Sequence, residues 1–365
     1  MFIAASVLAA VTSFGSNPGA LDMYEYAPAN LAANRPVVVV LHGCTQTASA
    51  MEVAGWDALA DEDGFTVVYP QQRSANQSLS CFTWYASSDI SRDQGEADSI
   101  IQMVDKALSE HGGDRSRVYV TGLSAGGAFT SVMLAAYPDR FAAGSVMAGL
   151  PYACATSLTA ASTCQQMGAS SQKTPQAWGD LVRHADTGFT GPWPRVQIWQ
   201  GTADYTVAPA NATELVKQWT DVWGTDQTAD ETDMLPTATR TRYHAGSATA
   251  VELYMVDGMG HAIATGNDDL GDCPSTTGAY FSDKSICSTR HAAVFFGLED
   301  DGAGTGSGSG PGSGSSGGSG EGGGGQGDDD AAPSGMNGGC STSAPSGGAI
   351  VIALGALAVG RRRRR

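Results

Sequence analysis

Short, almost wholly apolar runs recur through the middle of the chain, separated by segments with a helical period. PVVVVL at 36–41, FTVVYP at 65–70 and RVYVT at 117–121 have the length and composition typical of strands buried on both faces of a sheet. Between them, the segment 96–111 carries apolar residues on one helical face, at Ile100, Ile101, Val104 and Leu108. The hydrophobic pattern therefore predicts strands that alternate with helices.

The same alternation continues along the chain. Helices are predicted in AMEVAGWDALADEDG (50–64), in AGGAFTSVMLAAYP (125–138) and at 209–223, and strands in FAAGSVMAG, RVQIWQG and VELYMVDG. Strands alternating with helices predict an α/β fold with a mostly parallel sheet and helices on both faces. The cysteine-bearing stretch 152–194 looks irregular and is expected to form a cap or wall. Residues 12–299 are predicted to make one domain.

The first residues, MFIAASVLAAVTSF, begin with an apolar run that suits the core of a secretory signal, although no positively charged residue precedes it. Two interpretations stay open. Either residues 1–11 are what is left of a signal peptide whose true start lies a few codons upstream, or the run is buried in the domain. We expect the first, because the cysteines and the other end of the chain also indicate secretion.

The far end changes composition abruptly. Residues 300–339 are rich in glycine, serine and aspartate and are predicted to form a disordered linker. Residues 340–365 contain Cys340, the apolar run AIVIALGALAV and five arginines. The run is shorter than the roughly 20 residues of a stable membrane span, so a sorting signal is expected, with a short membrane anchor as the alternative. The tail resembles the tripartite sorting signals of myxobacterial surface proteins, which implies a sorting protease and anchoring of the protein at Cys340 to the outer surface or membrane.

Charge and cysteine content narrow the class of protein. The formal net charge of −17 argues against binding to nucleic acid, which needs a basic face. An even set of cysteines before residue 290 suits three disulfides in an oxidising compartment: Cys44, Cys81, Cys154, Cys164, Cys273 and Cys287. Sequence does not fix their pairing, although Cys154 with Cys164 and Cys273 with Cys287 are natural neighbours. The cysteine and histidine spacings match no zinc motif, so no metal is expected.

The pattern G-x-S-x-G, typical of a serine nucleophile, occurs at 122–126 and again at 314–318. The second copy lies inside the predicted linker, with no predicted strand before it and no predicted helix after it. The first lies where the strand RVYVT meets a helix that begins at Ala125, and a sharp turn there exposes the Ser124 hydroxyl beside a helix N-terminus. We therefore expect Ser124 to be a nucleophile, with an ordinary helix N-cap as the alternative.

A serine hydroxyl needs a base, and the base needs an orienting acid; on this kind of sheet the chain order is serine, acid, histidine. His261, in VDGMGHA, follows the strand VELYMV by a short loop and is the expected base. Asp204, in IWQGTADYTV, lies just past the preceding strand and is the expected acid. The other candidates suit these roles less well: His42 and His111 come too early, His184 stays open, His244 lies near a strand end, His291 is expected to cap the last helix, and Asp257 is expected in a turn.

Acyl attack creates an oxyanion that needs two hydrogen-bond donors. The N–H of Ala125, directly after the nucleophile, is one expected donor. The loop after PVVVVL offers the N–H of Cys44 as the other, and Gly43 lets this backbone approach closely. His42 is expected to shape the loop rather than to transfer protons. A disulfide from Cys44, with Cys81 as the favoured partner, would brace it.

Together these residues resemble the esterase family of extracellular polyhydroxybutyrate depolymerases, which is related to feruloyl and acetylxylan esterases. The resemblance spans residues 12–298 and is carried by SFGSNPGALDMYEYAP, VVVVLHGCTQTA, CFTWY, GEADSI, VYVTGLSAGGAFTSVMLAAYP, AGLPYA, GPWPRVQIWQGTADYTV and GMGHA. It implies an α/β-hydrolase fold, with Ser124 as nucleophile, Asp204 as orienting acid and His261 as base, and no cofactor.

The resemblance also implies a secreted serine esterase that hydrolyses a hydroxyalkanoate polyester or its oligomers through an acyl-enzyme. A feruloyl or acetylxylan esterase acting on plant polysaccharide, and a non-catalytic surface binding protein on the same fold, are the alternatives. Some polymer depolymerases of this kind carry a binding domain after the linker, whereas a sorting tail is expected here, so soluble oligomers and plant-wall esters stay open as substrates. Candidate substrate contacts are Trp84, Tyr85, Tyr152 and Trp193.

Overall fold

A ten-stranded sheet organises the computed structural model, which describes residues 8–167 and 172–299. The strands are β1 (Ala9–Val11), β2 (Asp22–Tyr26), β3 (Val37–Leu41), β4 (Thr66–Gln71), β5 (Val118–Leu123), β6 (Ala143–Met147), β7 (Arg195–Gly201), β8 (Glu231–Met234), β9 (Ala238–Ala245), β10 (Ala248–Val256), β11 (Ile263–Thr265) and β12 (Phe281–Asp283). The order across the large sheet is β1-β2-β4-β3-β5-β6-β7-β10-β9-β8, and β11 pairs with β12.

The centre of the large sheet, from β4 to β10, is parallel, and the strands outside it pair antiparallel. The predicted α/β fold with a mostly parallel sheet is therefore confirmed. The antiparallel outer strands were not predicted, because their apolar residues do not form continuous runs: β2 alternates half-buried and buried positions, and β8 is largely exposed.

Helices cover the sheet: α1 (Ala48–Met51), α2 (Trp56–Asp63), α3 (Ser87–Ile90), α4 (Gly95–His111), α5 (Ala125–Ala136), α6 (Leu158–Gln165), α7 (Pro175–Arg183), α8 (Ala210–Trp223) and α9 (Ser288–Phe296). The helix predicted over 50–64 is broken, because Gly55 adopts a left-handed φ of 85° between a 3-10 turn and α2. The stretch 152–194 was predicted to be irregular, and that was wrong for α6 and α7. Their N-caps, Ser157 and Thr174, accept backbone N–H groups as helix-start residues do.

The core lies on both faces of the sheet. Along β3, Val37, Val39 and Leu41 pack on one face, in a cluster that includes residues of α4, α5 and α8. Val38 and Val40 point into a second cluster with residues of α2 and α9. All five side chains of β3 are at most 1% exposed, which explains why this strand is a continuous apolar run.

The first strand lies at the start of the described residues. Residues of β1 pair antiparallel with β2, with Ala9 opposite Glu25, so residues 9–11 take part in the sheet, and the signal segment expected at residues 1–11 stays a prediction. Residues 1–7, the predicted linker at 300–339 and the predicted sorting segment at 340–365, including Cys340, lie outside the described residues. Within the described part of the chain, no helix has the length and apolar character needed to cross a bilayer.

Candidate active site

Ser124 lies at the turn between β5 and α5, where the parallel strands end. Its backbone has φ 59° and ψ −117°, a conformation that a non-glycine residue holds only where surrounding contacts enforce it. One such contact is the hydrogen bond that the Ser124 N–H donates to the carbonyl of Met147, at 2.9 Å. The residue occupies the N-cap position of α5, yet its side chain makes no capping hydrogen bond. The geometry therefore gives no support to the N-cap alternative.

Gly122 and Gly126 flank Ser124, and the space that their side chains would occupy is filled by neighbouring backbone atoms. A Cβ on Gly126 would lie 2.3 Å from the carbonyl oxygen of Leu41, and a Cβ on Gly122 would lie 2.6 Å from the backbone of Gly126. Both distances are well below van der Waals contact. The end of β3 can therefore pack directly against the turn that carries the serine.

The loop after β3 reaches the Ser124 side chain. A Cβ on Gly43 would lie 3.3 Å from the Ser124 Cβ, and the Gly43 N–H donates to Gln46 Oε1 at 2.8 Å. Among the described residues, the N–H groups of Cys44 and Ala125 have no acceptor. Two unpaired backbone donors thus lie in the segments that flank the hydroxyl, which is the arrangement that an oxyanion requires.

His42 is held in a single neutral form inside this loop. Its Nε2 accepts the backbone N–H of Gln72 at 3.0 Å, so the ring proton lies on Nδ1 and is donated to the Gly43 carbonyl at 2.7 Å. The side chain is fully buried, and burial lowers the pKa of His42 to about 4. These contacts fit the expectation that His42 shapes the loop.

Asp204 and His261 lie in direct contact. His261 Nδ1 donates to Asp204 Oδ2 at 2.7 Å. The same carboxylate accepts the N–H groups of Thr206 and Val207 at 2.8 and 2.9 Å, and Gln200 Nε2 at 3.1 Å. Asp204 is 2% exposed, so these donors replace water around its charge and fix the direction of the oxygen that faces the imidazole.

Neighbouring strands bring the pair together. β7 and β10 run parallel with Gly201 opposite Val256, and Asp204 and His261 follow their carboxyl ends. The His261 loop folds over the end of β7: a Cβ on Gly201 would lie 2.2 Å from the Met259 carbonyl oxygen, which also accepts the Ala203 N–H at 2.9 Å. In the sheet order, β7 lies between β10 and β5, and Ser124 follows β5. A loop that leaves β10 and passes over the end of β7 therefore runs in the direction of Ser124.

Within the described residues, the Ser124 hydroxyl makes no hydrogen bond, to His261 or to any other group. Hydrogen bonds of catalytic residues are often long before a substrate binds. The His261 ring packs edge-on against Tyr280 with 6.2 Å between ring centres, and Tyr280 is 39% exposed. Tyr280 was not predicted, because it lies in an irregular segment far from His261 in sequence.

Other residues that support the site were also not predicted from the sequence. Gln200, Thr206 and Val207 surround Asp204, and Gln72 supports His42. The position of Gln72 carried a signal: it follows β4 just as His42 follows β3, and parallel neighbours end at the same edge of a sheet.

The candidate substrate contacts lie in two places: three of them belong to the core or pack against it, and Trp193 lies at the sheet edge opposite the one that carries Ser124. Trp84 and Tyr152 are 7% and 8% exposed and belong to the core, and Tyr85 packs edge-on against Trp84 with 5.4 Å between ring centres. A substrate role for these three residues stays a prediction. Trp193 instead lines a cavity of about 500 Å³ with residues that precede β5, β6 and β7, at the edge opposite Ser124, so its place in a substrate groove was wrongly predicted.

Within residues 8–167 and 172–299, three disulfides join the cysteines: Cys44–Cys81, Cys154–Cys164 and Cys273–Cys287. The first ties the loop that carries the Cys44 N–H to the segment CFTWY. The second lies between the β6 end and α6, and the third joins the segment after β11 to the start of α9.

His291 is a buried residue that is hydrogen-bonded to Tyr254 and to Asp268. It lies inside α9, whose N-cap is Cys287, so the predicted capping role of His291 was wrong. Its Nδ1 meets the Tyr254 hydroxyl and its Nε2 meets Asp268 Oδ2, both at 3.1 Å. Asp268, Asp269 and His291 place ligand atoms within 4.8 Å of one another, but Asp268 Oδ2 already accepts the Cys287 N–H at 2.7 Å. We interpret this group as a hydrogen-bonded support for α9.

Comparison with known proteins gives a consistent result. The family model described as Esterase PHB depolymerase matches residues 21–240. Poly(3-hydroxyalkanoate) depolymerase C of Paucimonas lemoignei is 49% identical over 296 residues, which cover 80% of this chain and 70% of that protein. Feruloyl esterase B of Talaromyces funiculosus is 37% identical over 273 residues, covering 72% of this chain and 75% of the relative.

Among solved structures, an acetyl xylan esterase from Aspergillus awamori superimposes with a TM-score of 0.69 at 30% sequence identity. The superposition covers 80% of this chain and 100% of that structure. The names of these three similar proteins all describe enzymes that cleave carboxylic esters.

Proposed function

Because the chain belongs to the Esterase PHB depolymerase family and is a carboxylic ester hydrolase, we propose that it cleaves hydroxyalkanoate polyester or its oligomers through an acyl-enzyme on Ser124. The observation that carries the proposal is the His261–Asp204 hydrogen bond of 2.7 Å on the strand edge that bears the strained serine turn. A base that is oriented by a buried acid is what a serine hydroxyl needs to become a nucleophile.

Acylation begins when Ser124 Oγ attacks the ester carbonyl carbon. His261 Nε2 takes the hydroxyl proton, and Asp204 stabilises the imidazolium through the Nδ1–H bond. The carbonyl oxygen becomes an oxyanion, and the N–H groups of Cys44 and Ala125 donate to it. When the tetrahedral intermediate collapses, the C–O bond to the alcohol breaks and His261 returns the proton to the leaving oxygen. The serine is left as an ester of the acid.

Deacylation repeats these steps with water. His261 takes a proton from water as its oxygen attacks the acyl carbon, and the same two N–H groups stabilise the second oxyanion. Collapse breaks the bond to Ser124 Oγ, which regains its proton from His261. The products are one carboxylic acid and one alcohol. A hydroxyalkanoate unit carries both groups, so each cleavage of such a polyester leaves a new hydroxyl end and a new carboxyl end.

A substrate panel on the purified protein tests the proposal. Hydroxybutyrate oligomers and polyhydroxybutyrate film are compared with methyl ferulate and acetylated xylan, and product release is measured for wild type and Ser124→Ala. We expect kcat/KM to be highest on the hydroxybutyrate oligomers and activity to disappear in Ser124→Ala. Retained activity in Ser124→Ala would refute the role of the serine.

Feruloyl or acetylxylan esterase activity is the second candidate. It is favoured by the 37% identity to a feruloyl esterase and by the superposition with an acetyl xylan esterase. The same panel separates it, because higher kcat/KM on methyl ferulate or acetylated xylan than on the oligomers would replace the polyester assignment.

A third candidate is a surface binding protein that has kept the fold without catalysis. The unpaired Ser124 hydroxyl and the buried Asp204–His261 pair speak against it, because binding does not require an oriented base. Labelling with a fluorophosphonate decides between them. We expect a stoichiometric adduct on Ser124, and a native protein that forms no adduct would favour the binding protein.

We further propose that the protein works outside the cell, anchored through its C-terminal tail. The three disulfides fit an oxidising compartment. Cys340, the apolar run and the arginines support a sorting protease and surface attachment. Fractionation of cells that express the full chain should find it in the envelope, and Cys340→Ala should release it into the medium. Wild type found free in the medium would refute the anchoring.

A further inference from the structure

Glu96 is a buried carboxylate in the first turn of α4 that the proposed mechanism does not use. It is 2% exposed and accepts three hydrogen bonds. Gln72 Nε2 and Thr83 Oγ1 donate to its Oε1, and the Thr83 N–H donates to its Oε2 at 2.8 Å. Burial raises the pKa of Glu96 to about 7. A carboxyl group buried this deeply is unfavourable unless donors satisfy it, so its two partner residues, Gln72 and Thr83, are tied to it by three hydrogen bonds.

The first partner leads to the loop that follows β3. The backbone N–H of Gln72 donates to His42 Nε2 at 3.0 Å, and His42 Nδ1 donates to the Gly43 carbonyl at 2.7 Å. That carbonyl belongs to the same planar peptide group as the Cys44 N–H. In a trans peptide the C=O and N–H bonds point in opposite directions, so holding the oxygen fixes the direction of the N–H. His42 thereby orients the donor that we assign to the oxyanion.

The second partner leads to the same peptide group from its other side. Thr83 is attached to Glu96 by two hydrogen bonds, and Cys81, two residues earlier, is joined to Cys44 by a disulfide. The Thr45 N–H also donates to the Leu79 carbonyl at 2.7 Å. The segment before Thr83 therefore supports the loop directly after Cys44.

From these two connections we infer that Glu96 is a positioning residue for ester hydrolysis. It anchors both supports of the Gly43–Cys44 peptide group and so keeps the Cys44 N–H aimed at the oxyanion. The inference rests on the proposed function, since it requires that this N–H stabilises a tetrahedral intermediate. It extends that function to a residue that touches no reacting atom.

The test is the kinetics of Glu96→Gln on a small soluble ester, p-nitrophenyl butyrate. The amide cannot accept all three hydrogen bonds, and its NH₂ group faces a donor. An oxyanion donor acts in the transition state and hardly in the ground state, and removal of one lowers kcat by about 10²–10³-fold. A donor that is misdirected but still present loses only part of its stabilisation of the transition state. We therefore expect kcat to fall about 10–100-fold while KM stays within about twofold of wild type.

Two further variants separate positioning from general stability. Glu214→Gln is the matched control, because Glu214 is 3% exposed and also accepts three hydrogen bonds. The donors are the Lys173 N–H just before α7, Trp178 Nε1 in α7 and Lys217 Nζ in α8. We expect this variant to lower stability and leave kcat within about twofold of wild type. The double variant Glu96→Gln with Gln72→Glu exchanges the two side chains and so restores a carboxylate–amide pair. A carboxylate fits at position 72, because Gln72 Oε1 already accepts two hydrogen bonds, from the Arg73 N–H and from Asn76 Nδ2. It should recover most of kcat.

The outcomes are distinct. A natively folded Glu96→Gln with kcat near that of wild type, or an equal loss in Glu214→Gln, overturns the inference. Should Glu96→Gln not fold, Thr83→Val removes only the 2.7 Å bond from the hydroxyl to Glu96, and the inference then requires about a two- to fivefold lower kcat. Unchanged kcat in Thr83→Val would overturn it. A wild type without esterase activity overturns the proposed function and this inference together, whereas an active wild type isolates the role of Glu96.

Discussion

Lowering the pH should destabilise the fold through His42. The ring is buried with Nε2 accepting the Gln72 N–H, and a protonated ring would lose that acceptor and place a charge in the core. Burial lowers the pKa of His42 from its ordinary 6.5 to about 4. A base whose folded pKa is lowered is protonated first in the unfolded chain. Its contribution to stability is therefore complete above pH 6.5 and is lost as the pH falls from 6.5 towards 4.

The two pKa values set the size of the effect. With 1.36 kcal/mol for each unit of differential protonation, the loss is about 2 kcal/mol at pH 5 and about 3 kcal/mol at pH 4. A loss of this size is a large part of the 5–15 kcal/mol that stabilises a typical domain. Glu96 acts in the opposite direction, because burial raises its pKa to about 7 and its protonation relieves that penalty as the pH falls. A pH profile of wild type alone would mix the two.

Urea unfolding of wild type and of His42→Gln, followed by tryptophan fluorescence between pH 8 and pH 5 with the disulfides intact, isolates the histidine. The amide keeps a donor and an acceptor but does not titrate. The difference in unfolding free energy between the two proteins should shrink by about 2 kcal/mol from pH 8 to pH 5. A difference that is constant within about 0.5 kcal/mol over this range would refute the buried neutral imidazole.

Three further predictions concern the site and its supports. Asp204→Asn should lower kcat by about 10³–10⁴-fold at neutral pH, measured with p-nitrophenyl butyrate, because the His261 tautomer is no longer fixed; a loss below tenfold would contradict the assignment. Gly201→Ala would place its Cβ 2.2 Å from the Met259 carbonyl oxygen and displace the His261 loop, so kcat should fall about 100-fold. The control is Gly260→Ala, whose Cβ would meet no atom within 4 Å and which should keep kcat within about threefold of wild type. Replacing both Cys44 and Cys81 by alanine opens a disulfide with a sequence separation of 37 and should lower the unfolding free energy by about 4 kcal/mol in urea titrations; an unchanged midpoint would argue against the bond.

Local patterns were sufficient for much of the architecture. The run PVVVVL became β3, buried on both faces, and the segment 96–111 became most of α4, because a strand or helix that buries apolar side chains must repeat them at its own period. Local patterns were insufficient where the signal in the sequence was weak or was overridden by a single residue. α6 and α7 are short and lie among polar residues, and Gly55 breaks a continuous helical pattern.

The candidate site shows the same division. The sequence singled out Ser124 from the strand–glycine–helix context and placed an acid and a histidine after later strands, and the structure brings Asp204 and His261 into contact. Their catalytic roles stay predictions for the experiments above. The esterase class itself, expected from the sequence blocks, is confirmed by the family match and by the relatives.

What the sequence determined by itself is what short-range chemistry dictates: the alternating strands and helices, and the turn that only flanking glycines permit. Only the tertiary structure decided which distant groups support one another. Gln72 meets His42, Glu96 meets Thr83, and Gly201 meets Met259, each through sheet register or loop packing. No periodicity in a chain encodes such pairs, because they depend on which strands become neighbours and on how far each loop extends beyond its strand.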